Sequence, residues 1–205
     1  MRRAFALFLA LALACTQSVR PDARAFEIWL AADGSRADAL TRFEALLERE
    51  GVAGVLPTRE LWVTDRLSPE CVVEPFVTPP EDMWANIVPT LRFIRDYVEP
   101  AIGNVTVASG YRDPDFNACV RGAARSAHRE FHALDLLPRD RLVSRERLID
   151  TLCPIHVREG GRFNIGLGIY RAQRFHIDAR GFRGWGEDFR RATFPCDARA
   201  GPPPT

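Results

Sequence analysis

Two histidines and an aspartate hold the chemistry that this sequence can do: His128 in Ser126-Ala127-His128, Asp135 in Ala133-Leu134-Asp135, and His176 in Phe175-His176-Ile177-Asp178. Imidazole nitrogen and carboxylate oxygen both suit Zn2+, and three protein ligands leave a fourth position open for water. An open position marks a catalytic rather than a structural site. A net charge of about +1 there lowers the pKa of bound water towards 7. A further polar group, Ser109-Gly110-Tyr111-Arg112, follows a β-branched run, and Trp185 stands shortly after the last histidine. A helical zinc motif is excluded. His128 and His132 lie four apart, but Arg129 follows the first and Phe131 precedes the second, so neither H-E-x-x-H nor H-x-x-E-H is present. His132 is a lesser candidate for substrate contact or proton transfer.

The elements that must position these groups can be read from the pattern around them. Asn104 to Ala108 alternates and is β-branched, which predicts a strand ending at the SGYR group. Ala133 to Leu137 predicts a second strand, and Phe163 to Tyr170 with Arg174 to Ala179 predict a further pair. Helices are predicted over Ser35 to Glu50, Glu81 to Val98 with a kink or break at Pro89, Asp113 to Gly122, and Ser144 to Leu152. Residues 51–80 read as mostly loop around Leu61-Trp62-Val63. Helices first and strands later, without regular crossovers, favour an α+β fold with a small antiparallel sheet and flanking helices.

Composition removes several function classes. The 205 residues carry 28 basic and 27 acidic side chains, a formal charge of +1, so no global basic field points to nucleic acid. Every basic side chain is Arg, which reads as codon bias. With 46% hydrophobic residues a packed core is accessible, and no run reaches the roughly 18 apolar residues of a membrane span.

The start reads as an address label. Arg2 and Arg3 precede an apolar run from Ala4 to Ala14, and Ala12-Leu13-Ala14 fits signal peptidase cleavage. The alternative is a buried N-terminal helix. Cleavage would leave Cys15 first, in a Leu-Ala-Cys context that partly matches a lipoprotein box, so a lipid anchor on Cys15 is one expected outcome. The expected organisation is a signal peptide over 1–14, a tether over 15–25, a helical and loop extension over 26–80, the site-bearing domain over 81–196 and a disordered tail over 197–205. Without Cys15, the four cysteines Cys71, Cys119, Cys153 and Cys196 suggest two disulfides, in any of three pairings.

Ser126 to Asp135 resembles the S-x-H-x-x-G-x-A-x-D motif of the zinc D-alanyl-D-alanine peptidases, a superfamily that includes lysostaphin-type endopeptidases and the hedgehog signalling domain. Ser109 to Arg112 is similar to that family's SGYR strand end. Gly166-Leu167-Gly168-Ile169-Tyr170, then Phe175 to Asp178, then Trp185, resemble its closing G-x-G-x-Y…H-x-D…W pattern. The resemblance spans roughly Pro79 to Trp185. It implies a hedgehog/DD-peptidase-like fold and zinc ligands His128, Asp135 and His176. It also implies that Arg112 lies by the substrate, holding a carboxylate or the developing oxyanion. Two positions depart from the pattern. Phe131 stands where Gly is usual, and Gln173 where several relatives carry an acid three places before the last ligand. Glutamine takes no proton from water. Asp178, two residues after His176 and on the same strand face, is then either the catalytic base or a partner that orients His176.

These readings converge on an exported, periplasmic or envelope zinc metallopeptidase that cuts peptidoglycan peptides next to a D-amino acid, as carboxypeptidase or endopeptidase. The competing expectation is a zinc-stabilised, non-catalytic wall-binding module, favoured by Gln173 and Phe131. The two differ in whether muropeptides acquire new termini.

Overall fold

The computed structural model describes residues 22–72 and 74–197. The expected signal peptide, Cys15 and the tail from residue 198 lie outside the described residues. Helix α1, Ala23–Ala31, is capped by the Asp22 carboxylate, which accepts from Ala25 N. It takes up the last residues of the expected tether. Helix α2, Gly34–Arg49, is capped by Asp33, whose carboxylate accepts from both the amide and the hydroxyl of Ser35. Both helices turn aromatic and aliphatic residues inward: Phe26, Trp29, Phe43 and Leu47 join one cluster that runs through to Phe194 and Cys196. The extension over 26–80 therefore shares the core of the site-bearing domain.

The described residues of 51–80 are loop apart from the single turn of α3, Thr58–Leu61, and a 3₁₀ turn at Pro69–Cys71. They cover an otherwise open sheet edge. Glu60 accepts from Thr106 Oγ1 and Val107 N, and Arg66 N donates to Ala108 O. The segment expected as a kinked helix winds continuously but changes pitch, with 3₁₀ turns at Glu81–Ile87, α4 at Val88–Phe93, a π stretch at Ile94–Val98 and α5 at Glu99–Ile102. Pro89 sits in the first turn of α4, where its missing N–H is not needed.

The strands are β1 Val105–Ser109, β2 Ala133–Pro138, β3 Gly166–Ile169, β4 Phe175–Asp178 and β5 Arg183–Trp185. Helices α6, Pro114–Cys119, and α7, Arg145–Ile155, fall between them, capped by Asp113 and Ser144. The five strands form one sheet in the order β1-β2-β4-β3-β5. The fold is α+β. The first four strands are antiparallel as expected, and β5, which the sequence pattern did not announce, joins β3 in parallel. Two disulfides, Cys71–Cys119 and Cys153–Cys196, select one of the three pairings. The first ties the edge loop to α6, and the second ties the segment after β5 to α7. Among the described residues no helix is long and apolar enough to cross a membrane.

Candidate metal centre

The register of the sheet builds the site. Ser109 pairs with Asp135, Asp135 with His176, His176 with Gly168, and Gly168 with Trp185. These residues form one row across five strands, and cross-strand partners share a face. The next row, two residues along, is Ala133, Asp178, Gly166 and Arg183. The two glycines of the G-x-G pair make room for the row around them. A Cβ on Gly168 would lie 2.5 Å from Trp185 Nε1, and one on Gly166 would collide with the Asp178 carboxylate.

His128 reaches the row from outside the sheet, on a 3₁₀ turn at Ala127–Glu130. Asn86 Nδ2 donates to Glu130 O and Thr90 Oγ1 to His132 O, which fixes that turn against the long helical segment. Phe131 ends the turn in the left-handed region, at φ 55 and ψ 33. That conformation explains why a glycine suits this position. Here a buried ring takes its place, 6.1 Å from Phe43 and 6.4 Å from Tyr111, and this burial offsets the backbone cost.

The three side chains meet. His128 Nε2 lies 3.1 Å from His176 Nδ1 and 3.5 Å from Asp135 Oδ1, and His176 Nδ1 lies 3.1 Å from Asp135 Oδ1. All three residues are buried. Their outer atoms fix which nitrogens face inward. His128 Nδ1 is 2.7 Å from Gly110 O, and a carbonyl only accepts, so Nδ1 carries the proton and Nε2 presents a lone pair. His176 Nε2 is 2.8 Å from Asp178 Oδ2, so Nε2–H donates outward and Nδ1 faces His128 and Asp135.

Three acceptor atoms thus converge on one point. Donors about 2.0–2.1 Å from a tetrahedral ion stand roughly 3.3–3.4 Å apart, close to the separations found. The donor set therefore fits Zn2+. The electrostatics agree. Burial, reinforced by Arg112, pushes His128 down to about 4, so its imidazole is neutral. Burial also opposes charge on His176, but its hydrogen bonds to Asp135 and Asp178 outweigh it and raise its pKa. Asp135 is kept well below the usual carboxylate range because His128, His176 and Arg112 overcome the cost of its burial.

Asp178 is placed behind His176. It has no exposed surface, and its oxygens accept from His176, from both terminal nitrogens of Arg183 at 3.0 and 2.7 Å, and from Arg180 N. Despite burial, those partners lower its pKa to about 2. Arg112 stands at the site, with Nη2 2.6 Å from Asp135 Oδ2 and Nε 3.0 Å from Ser109 Oγ. Gln173 is turned away, its amide donating to Arg141 O and Val143 O. His132 does not line the cleft.

The cluster forms the floor of a cleft of about 860 Å3. Residues that the motifs did not assign build its walls. Trp185 Nε1 donates to Tyr170 Oη, and its ring lies 5.0 Å from that of His176. Arg183 lies over Trp185 while it binds Asp178, and Phe189 is exposed at the mouth. The Tyr and Trp lay within the motif pattern. The arginines gave no signal in a chain so rich in them.

Comparison with known proteins adds one finding. The model of a family described as Peptidase M15 matches residues 65–178, more than half of the chain. That span holds all three converging side chains. No curated protein sequence and no solved structure matches.

Proposed function

The chain belongs to the peptidase M15 family, and from that premise we propose that it is an exported zinc metallopeptidase acting on peptidoglycan stem peptides or cross-links beside a D-amino acid. Membership makes peptides the substrate class. The observation that carries the proposal is the convergence of His128 Nε2, Asp135 Oδ1 and His176 Nδ1 on the floor of an open cleft. Zinc held there would supply Lewis acidity, polarising a peptide carbonyl and acidifying water.

The chain's own residues do the rest. Arg112 keeps Asp135 in place and, with two of its five N–H groups spent, has donors left for the carbonyl oxygen as it gains charge. Asp178 positions His176 and does not act as base, since it is closed off by Arg183 and has little proton affinity. The carboxylates lining the cleft are Asp65 and Asp135. Asp65 Oδ1 accepts from Leu67 N and Ser68 N, and among the described residues no arginine or histidine pairs with this carboxylate. Asp65 would then be the carboxylate open to a water in the cleft. Export is supported by the leader-like residues 1–14 and by two disulfides, which persist in oxidising compartments. Cys15 is the site proposed for a lipid anchor.

One observation favours the second reading, a zinc-held wall-binding module: the Gln173 amide occupies the acid's usual place and points away from the cleft. Incubating zinc-loaded protein with muropeptides and analysing the products by mass spectrometry separates the two. New peptide termini, lost in His176→Ala, support the peptidase. Intact muropeptides that nevertheless bind support the module.

A further inference from the structure

Arg174, in the turn between β3 and β4, is a cation left unspent beside the metal centre. Its guanidinium lies 4.2 Å above the Tyr170 ring, and its side chain is 30% exposed. The nearest carboxylate oxygen, Asp135 Oδ2, is 3.9 Å from Nη1, beyond hydrogen-bond length, and is already held by Arg112 at 2.6 Å. Among the described residues the Arg174 guanidinium has no hydrogen-bond partner. The other inner arginines are committed: Arg112 to Asp135, Arg183 to Asp178 and Arg191 to Asp197. At the mouth, Arg121 and Arg125 are exposed and line the same cleft without a carboxylate partner.

This excess is local. The whole chain carries only +1, yet six arginines line the cleft with two carboxylates, and Asp178 and Asp197 pair with only two of the six. A divalent ion would add to the imbalance. Low-dielectric walls focus such a field, which favours a substrate that brings negative charge. Arg174 suits a carboxylate in particular. The fork of a guanidinium binds two oxygens at once, and stacking on Tyr170 orients it in advance.

We propose that Arg174 is the residue that binds a substrate carboxylate, and that the cleft selects peptides with a carboxylate within one residue of the scissile bond. That group is the main-chain terminus or an acidic side chain. Arg174 Nη1 stands 3.9 Å from Asp135 Oδ2, so the carboxylate that it binds belongs to a substrate residue close to the metal centre. The proposal rests on the peptidase reading for the bond, but not for the binding.

Calorimetry with uncleavable probes tests it. The probes are short peptides in which a methylene replaces the N–H of the last amide bond: one ending in two D-alanine units with a free terminal acid, the same one amidated, and an amidated one whose last residue is acidic instead. The zinc-loaded wild type is expected to bind the terminal acid, or the acidic-residue probe, at least tenfold tighter than the plain amide. Arg174→Gln should erase that preference by weakening only the charged probe, with zinc content unchanged, and Arg174→Lys should keep part of it. The charged probe that binds identifies the source of the carboxylate. A wild-type preference under twofold, a preference that survives Arg174→Gln, or no binding of any probe overturns the proposal. Carboxylate-dependent binding without hydrolysis of the normal peptide counts against the peptidase reading and leaves Arg174's role intact.

Discussion

Asp178 and His176 show how much a function can turn on one atom of a ring. They share a strand face, as their spacing dictates, but Asp178 meets Nε2 while the converging site uses Nδ1. Replacing Asp178 by Asn removes the charge that orients His176 and leaves Arg183 without its partner. Zinc affinity is expected to fall about 10- to 100-fold, while kcat at saturating zinc stays within a few-fold. Loss of kcat by about 10²–10⁴ at every zinc concentration would instead make Asp178 the base. The raised pKa of His176 fixes the pH dependence. Below it, zinc must displace a proton from Nδ1, whereas His128, at about 4, holds none. Affinity should therefore rise with pH and level off above the ordinary imidazole value of about 6.5. Titrations in buffers of different ionisation enthalpy should find about one proton released per zinc on the acid side. A pH-independent affinity from 5 to 8 would contradict this. The three side chains that converge were legible because the motif names them. The side of His176 that Asp178 occupies was not, because spacing gives the face and not the rotamer.

Elements were legible where local chemistry decides them. Asp113 and Ser144 cap helices where the sequence places them, and alternating or apolar runs mark β1, β2, β3 and β4. Helix α1 escaped notice because it is short and stands by packing Phe26 and Trp29 on Trp62 and Phe76. Strand β5 escaped because three residues carry no period, and its parallel pairing with β3 is a tertiary fact. The reason for the G-x-G pair also appears only at this scale. Gly168→Ala should push Trp185 aside, destabilising the protein by about 1–3 kcal/mol through overpacking, with zinc affinity nearly unchanged. Gly166→Ala presses on Asp178 and should weaken zinc binding as well. Thermal unfolding with a zinc titration checks both. Two variants with identical effects would sink the assignment of one glycine to the wall and the other to the support.

For the molecule as a whole, one hydrophobic cluster from Phe26 to Cys196 holds a sheet whose central row points into a cation-rich cleft. Neither the shared core of residues 26–80 nor the crowding of arginines was legible in the sequence. Both depend on which distant segments the sheet and the two disulfides bring together, and the uniform use of Arg hides those that matter. The peptidase chemistry proposed for the cleft requires a divalent ion bound by His128, Asp135 and His176. The direct measurement is elemental analysis of the purified chain after zinc loading and dialysis, alongside His128→Ala and His176→Ala. The account predicts one zinc per wild-type chain and almost none in either folded variant. A wild type that retains no zinc, or variants that retain it in full, would contradict it.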